Sequence, residues 1–224
     1  MLVVAILSLN ACGQISTVSP SEQETIVEKP IPIFNDISIG STIQFGAYEQ
    51  DNNYSNGKEP IDWMVLTIED NKALLISKYA LDCQPFSTNN GIVWDSSSLR
   101  RWLNSSFLNE AFTIEEQAII LTTEVTVDRG NNTTDMIFIQ SAEEQDKYNM
   151  GYVGVGRVGW CQATAYARSV CPLRDDGDNT YSCWTRSTLL QADGVVRVII
   201  SEGCCADANA DFECVRPMMW IDIG

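Results

Sequence analysis

Ile61-Asp62-Trp63-Met64-Val65-Leu66-Thr67-Ile68 and Ala73-Leu74-Leu75-Ile76-Ser77, on either side of Glu69-Asp70-Asn71-Lys72, decide the fold. Two runs rich in β-branched and large apolar residues around a short polar turn predict a β-hairpin. Both runs are nearly continuous in apolar character, which places them in the middle of a sheet. Upstream, Thr42-Ile43-Gln44-Phe45-Gly46-Ala47-Tyr48 alternates as a half-buried strand, and Asp51 to Pro60 is a polar loop.

Downstream of the hairpin the period changes. Leu99, Trp102, Leu103 and Phe107 share one helical face, with Asp95 or a following serine as N-cap. Thr113-Ile114-Glu115-Glu116 is a capping box that opens a second helix through Leu121. Asp135 to Gln140 reads as a strand, and Ser141-Ala142-Glu143-Glu144 caps a helix to about Tyr148. Short strands are expected at Cys183–Arg186, Val195–Ile200 and Val215–Ile221. The fold class is α+β: a single compact domain over 37–224, with short helices and an irregular antiparallel sheet.

The first residues carry a different signal. Leu2 to Leu9 is an apolar run too short to span a bilayer, and Leu9-Asn10-Ala11-Cys12 places a small residue before a cysteine. Residues 1–12 resemble a lipoprotein signal with Cys12 as the lipidated residue, although no Lys or Arg precedes Lys29. Residues 13–36, rich in Ser, Thr, Glu, Gln and Pro, read as a flexible stalk. The expected location is extracytoplasmic, with the lipid as the membrane contact.

Composition narrows the chemistry. Thirty acidic against 14 basic residues give a net charge of −16, which repels phosphate backbones and excludes nucleic acid as a partner. There is no histidine, so imidazole bases, Ser-His-Asp and Cys-His catalysis and His-ligated metals are all excluded. Eight cysteines in an exported chain point to disulfides. With Cys12 set aside, the disulfide candidates are Cys83, Cys161, Cys171, Cys183, Cys204, Cys205 and Cys214, an odd set that leaves one thiol over. No C-x-x-C spacing occurs, and a zinc site without histidine needs four thiolates, so spacing argues against zinc.

Three groups of residues are candidate sites. Trp160, Tyr181 and Trp184 could stack on a ligand, and Arg186 could pair with a ligand carboxylate or serve as a structural hub. Asp207, Asn209, Asp211 and Glu213 alternate as oxygen donors that would suit calcium, though Phe212 stands where an EF-hand loop needs glycine. Asp175-Asp176-Gly177-Asp178-Asn179 is a second acidic cluster with turn chemistry. No other cofactor is expected.

Several phrases occur in one order: Phe45-Gly46-Ala47-Tyr48-Glu49-Gln50, Pro60 to Leu66, Ala73 to Asp82, Val93 to Asn104, Cys183-Trp184-Thr185-Arg186-Ser187 and Val215-Arg216-Pro217-Met218-Met219-Trp220-Ile221. Over residues 38–222 they resemble the bacterial domain-of-unknown-function family numbered 6273. That family has no established activity, so the resemblance carries over no catalytic residue. The closing phrases are also similar to C-type-lectin-like domains, including the formylglycine-generating-enzyme fold. This second resemblance implies a loop-rich ligand face between Gly151 and Asp211. The functional expectation is a cell-surface lipoprotein acting as a non-catalytic ligand-binding or adhesion module. Its ligand would be a glycan, a small molecule or a protein. The alternatives are a cysteine- or metal-dependent oxidoreductase, a carboxylate hydrolase, or a structural envelope spacer.

Overall fold

In the computed structural model, which describes residues 34, 37–88, 93–148, 161–171, 179–191, 196–200 and 204–224, the runs around Asp70 lie inside a six-stranded antiparallel sheet. The chain begins with β1 (Thr42–Tyr48), β2 (Glu59–Glu69), β3 (Lys72–Ser77) and β4 (Asp82–Cys83). Asp70 turns the chain between β2 and β3 at a φ of +51°, a left-handed conformation that Asp adopts more readily than most residues. Next come β5 (Ile120–Leu121), β6 (Thr123–Val125), β7 (Thr133–Asp135) and β8 (Phe138–Ile139). Then follow β9 (Cys161–Gln162), β10 (Thr180–Tyr181), β11 (Thr188–Leu190) and β12 (Val196–Ile199). The described strands end with β13 (Cys205–Ala206), β14 (Cys214–Val215) and β15 (Pro217–Asp222).

The main sheet runs β1-β2-β3-β15-β5, and β8 also pairs with β15. The final strand is therefore a central one: Trp220 lies opposite Leu74 of β3 and opposite Leu121 of β5. That position explains why Met218, Met219 and Ile221 are all fully buried. Smaller sheets join β4 to β14, β9 to β10, β6 to β7, and β11 to β12 to β13. The α+β class holds, with short helices between the two halves of the sheet.

Helix α1 (Ser98–Trp102) continues through a π turn (Leu103–Phe107) into α2 (Leu108–Ala111). Ser97 is the N-cap, its Oγ accepting from the Arg100 N–H at 3.1 Å. Leu99, Leu103 and Phe107 face the core as their spacing predicts, while Trp102 packs half-buried at its margin. Thr113 opens α3 (Ile114–Gln117) and Ser141 opens α4 (Ala142–Lys147), each through a reciprocal capping box with Glu116 and Glu144.

Local pairing corrects four sequence expectations. Helix α3 stops at Gln117 rather than Leu121, because Ile120 and Leu121 find strand partners in Ile221 and Trp220. The strand expected over Asp135–Gln140 splits, since Asn104 Oδ1 accepts from the N–H groups of Met136 at 2.9 Å and Ile137 at 3.1 Å. Val215–Ile221 is interrupted at Arg216, whose Nε donates to Ser77 O at 2.8 Å. Cys183–Arg186 forms only a single bridge to Cys214, because the N–H groups of Trp184, Thr185 and Arg186 go to three separate segments. A fifth helix, α5 (Ala165–Val170), is an addition that no apolar period announced.

Trp63, Trp94 and Trp184 anchor the core with no exposed surface. A buried indole must spend its N–H. The acceptors are Phe45 O at 2.7 Å, Asp135 Oδ2 at 3.0 Å and Gln84 O at 2.8 Å. A second, smaller cluster collects cysteines on the β4–β14 side, and it frames the candidate site.

Candidate functional site

Cys83 ends β4 and lies directly opposite Cys214 of β14. Cys183 bridges through its backbone to Cys214, and Cys171 is the C-cap of α5. Cys161 begins β9, opposite Tyr181 of β10. These pairings gather five cysteines, each no more than 8% exposed, into one buried corner with Tyr181. The Sγ atoms of Cys161 and Cys183 are 3.1 Å apart, and those of Cys83, Cys171 and Cys214 all lie within 4.8 Å of one another. No disulfide is formed among the described residues.

Burial and mutual contact set the state of these thiols. The contact with Cys183, helped by the charge of Arg216, holds Cys161 below the ordinary thiol range. Cys183 is pushed up by that same contact and then by burial. Cys83 is raised first by its bond to Cys171, and Cys214 by its bonds to Cys171 and Cys83. The Cys83 thiol donates to Asp211 O at 3.2 Å and Glu213 O at 3.3 Å, and the Cys171 thiol to Phe212 O at 3.2 Å. Such dry, mostly neutral sulfurs are poor nucleophiles, because a reactive cysteine needs access as well as a thiolate.

A cleft of about 360 Å³ opens beside this corner, lined by Gln50, Tyr79, Gln162, Thr164, Arg168 and Asn179 among others. Its walls follow from local pairing. Ala80 bridges to Ala163, which sets Tyr79 beside β9. Thr164 caps α5 by accepting from the Ala167 N–H at 3.1 Å. The Tyr166 N–H donates to Gln50 O at 2.9 Å, and Ser169 Oγ to Asn52 Oδ1 at 3.2 Å, so the helix is tied to the loop after β1. Arg168 stands half-buried in this wall, and its guanidinium makes no hydrogen bond or ion pair among the described residues. A second cleft of about 380 Å³ lies around Asp128, Ser141 and Arg186.

The residues singled out from sequence are dispersed. Tyr181 and Trp184 are 4% and 0% exposed, so neither presents a ring face to a ligand. Arg186 is a hub: it makes a two-pronged pair with Glu144 at 2.6 and 2.9 Å and donates to Thr126 O and Ile139 O. Asp207 is exposed and turns to Arg197, whereas Glu213 is buried against Ser182. Asn209 and Asp211 are exposed. Cys204 is exposed and Cys205 half-buried, its sulfur accepting from Gln191 at 3.2 Å, outside the buried cysteine corner. Cys12, Trp160 and the cluster at 175–178 lie outside the described residues.

Sequence reasoning passed over Tyr79, Gln162, Thr164 and Arg168. The available signal was Thr164, a good N-cap residue two positions after Gln162. It also passed over Glu49, Asp51 and Glu59, whose carboxylates lie within 4.8 Å of one another. Those oxygens accept from the loop's own N–H groups: Glu49 from Asn53, Glu59 from Gln50 and Asp51 from Asn53.

The model of the family described as Domain of unknown function (DUF6273) matches residues 70–223. No curated protein and no solved structure matches the chain.

Proposed function

The chain belongs to the DUF6273 family, and we propose that it is a non-catalytic ligand-binding module, held outside the cytoplasm by lipid on Cys12. The observation that carries this reading is the cleft in which Tyr79, Gln162, Thr164, Arg168 and Asn179 meet over the cysteine corner. A concave site with one aromatic ring and several converging polar groups suits a small polar ligand or the end of a glycan. A C-type-lectin-like frame, with ligands taken on its loop-rich side, is part of the proposal.

Burial of the thiols supports binding over cysteine catalysis. A thiol oxidoreductase must bring its sulfur to a substrate, and the five clustered cysteines are at most 8% exposed. The anchor rests on the Leu2–Leu9 run and the small residue before Cys12. No helix among the described residues is long and apolar enough to cross a membrane.

The test is a thermal-shift panel of neutral and acidic saccharides, amino acids and short peptides, run on the wild-type protein and on Tyr79→Ala and Arg168→Ala. A ligand of this cleft raises the melting temperature of the wild type, by linkage, and loses that effect in both variants. The reading is overturned if no compound shifts the wild type, or if the shift survives both substitutions.

A further inference from the structure

We propose that Cys83, Cys171 and Cys214 form a three-thiolate site for a soft cation, Zn²⁺ or Cu⁺, that clamps β4, α5 and β14 together behind the cleft. The three sulfurs are buried and lie within 4.8 Å of one another. Zinc–thiolate bonds of about 2.3 Å at tetrahedral angles put sulfurs about 3.8 Å apart, inside that envelope. Three thiolates complete a trigonal shell for Cu⁺, whereas Zn²⁺ would take a water as fourth ligand in place of the fourth thiolate that a closed structural site requires. The ligands come from three segments far apart in sequence: the end of β4, the C-cap of α5 and the start of β14.

The number of sulfurs separates a metal site from a bridge. A disulfide consumes two cysteines and leaves a third buried against it. Cys161 and Cys183, with sulfurs 3.1 Å apart, are a pair of that kind on the other side of the corner. The remaining trio is instead a donor set. It is also uniformly soft, with neither carboxylate nor imidazole among the three, and thiolates select zinc or monovalent copper over calcium and magnesium.

Proton and charge accounting agree with this. Without metal, the thiols of Cys83 and Cys171 donate to the carbonyls of Asp211, Glu213 and Phe212, so those sulfurs are satisfied. On binding, three S–H bonds break, three sulfur–metal bonds form and three protons pass to water. A cation at the centre of the trio would stabilise the three thiolates that its binding creates. Sequence spacing hid the site because the trio sits at 83, 171 and 214, with no two ligands on one turn.

The experiment uses the full chain, reduced and then dialysed against Zn²⁺ alone or against Cu⁺ alone without oxygen. Bound metal is counted by elemental analysis, and each cysteine is read by alkylation and peptide mass spectrometry. The proposal expects one equivalent of at least one of the two metals, and the ion retained identifies the occupant. Cys83, Cys171 and Cys214, already slow to alkylate in the metal-free protein because they are buried, react more slowly still with metal bound, and a chelator restores the metal-free rate. Cys171→Ala, at the end of α5, lowers retained metal at least tenfold, while Cys204→Ala retains the full equivalent. Protection released by reductant and not by chelator shows a disulfide and overturns the proposal. So does an equivalent of metal that survives Cys171→Ala, or no retained metal in either arm. The alkylation pattern is read on the unmodified protein, so the test stands even where a variant fails to fold.

Discussion

Tyr48 donates its hydroxyl to Asp82 Oδ2 over 2.6 Å, and both residues are almost wholly buried, at 3% and 1% exposure. The bond joins the end of β1 to β4, and so links the main sheet to the cysteine corner. Asp82 also accepts from the Cys83 N–H at 2.7 Å and from Gln84 Nε2 at 3.1 Å. Three donors hold one carboxylate in a dry place.

Burial still outweighs those donors, so the Asp82 carboxyl is pushed above the ordinary Asp range. The folded protein then holds this proton more tightly than the unfolded chain. The group's stabilisation is complete below the unfolded value of about 4 and is lost as pH rises through the raised folded value. Asp82→Asn keeps an oxygen acceptor for Tyr48 but cannot ionise. Its melting temperature relative to wild type therefore rises between about pH 4 and about pH 7. Paired melts across that range check it, and a difference that falls with pH refutes the assignment. Tyr48→Phe, which strips one donor from the buried carboxylate, costs about 1.5–3 kcal/mol by denaturant melts.

Gly46 sits where the β1–β2 register slips, between Gln44 and Ala47, at a φ of +68°. A Cβ there would lie 2.5 Å from Phe112 Cε1 and 2.8 Å from Ala111 O. Backbone strain and overpacking act together at this position, so Gly46→Ala costs about 3 kcal/mol. Phe112 also packs against Phe45 and Trp63, so the ring has little room to retreat. Urea denaturation measures the loss, and a change below about 0.5 kcal/mol, the scale of a neutral surface substitution, would contradict the close approach.

Arg186 and Glu144 form a pair in which the guanidinium is 5% exposed and the carboxylate 23%. Glu144 also closes the capping box of α4 on Ser141, so one carboxylate serves both the helix start and the hub. Arg186→Met leaves that carboxylate without its cation and frees the carbonyls of Thr126 and Ile139. The expected cost is about 3–5 kcal/mol in chemical denaturation. Arg186→Lys recovers only part of it, because a single ammonium cannot match both carboxylate oxygens and two carbonyls.

What the sequence revealed and what it concealed divide along the range of the interactions. The hairpin around Asp70 and the capping boxes at Thr113 and Ser141 were legible because their partners lie within a few residues. Helix α5 was not: Ala167 stands at the position where a capping box would carry Glu or Gln, and the glycine-rich segment before it suggested loops. The cleft was invisible for a related reason. Tyr79, Gln162, Arg168 and Asn179 come together only through the Ala80–Ala163 bridge and the β9–β10 pairing. Tyr181, Trp184 and Arg186 looked suited to a ligand because their types are, yet a tryptophan or an arginine inside apolar phrases is as readily a core anchor.

Cys161 and Cys183 give the last prediction. Their sulfurs touch at 3.1 Å, Cys161 lying in β9 and Cys183 two residues past the end of β10. The Cys183 contact and the charge of Arg216 favour the thiolate of Cys161, which makes it the attacking sulfur toward a small disulfide oxidant such as oxidised glutathione. Attack forms a mixed disulfide and releases one reduced glutathione. Cys183 then gives up its proton to water and displaces the second glutathione, leaving the Cys161–Cys183 bridge. Closing a loop of this length removes entropy from the unfolded chain worth about 3 kcal/mol, so the oxidised protein melts at a higher temperature. Both sulfurs are nearly inaccessible, at 2% and 0% exposure, so the reaction waits on local opening and is slow at room temperature. Peptide mapping after oxidation checks the connectivity. A dominant bridge from Cys161 to any cysteine other than Cys183 would refute the pairing, and Cys183→Ser should abolish both the cross-link and the rise in melting temperature.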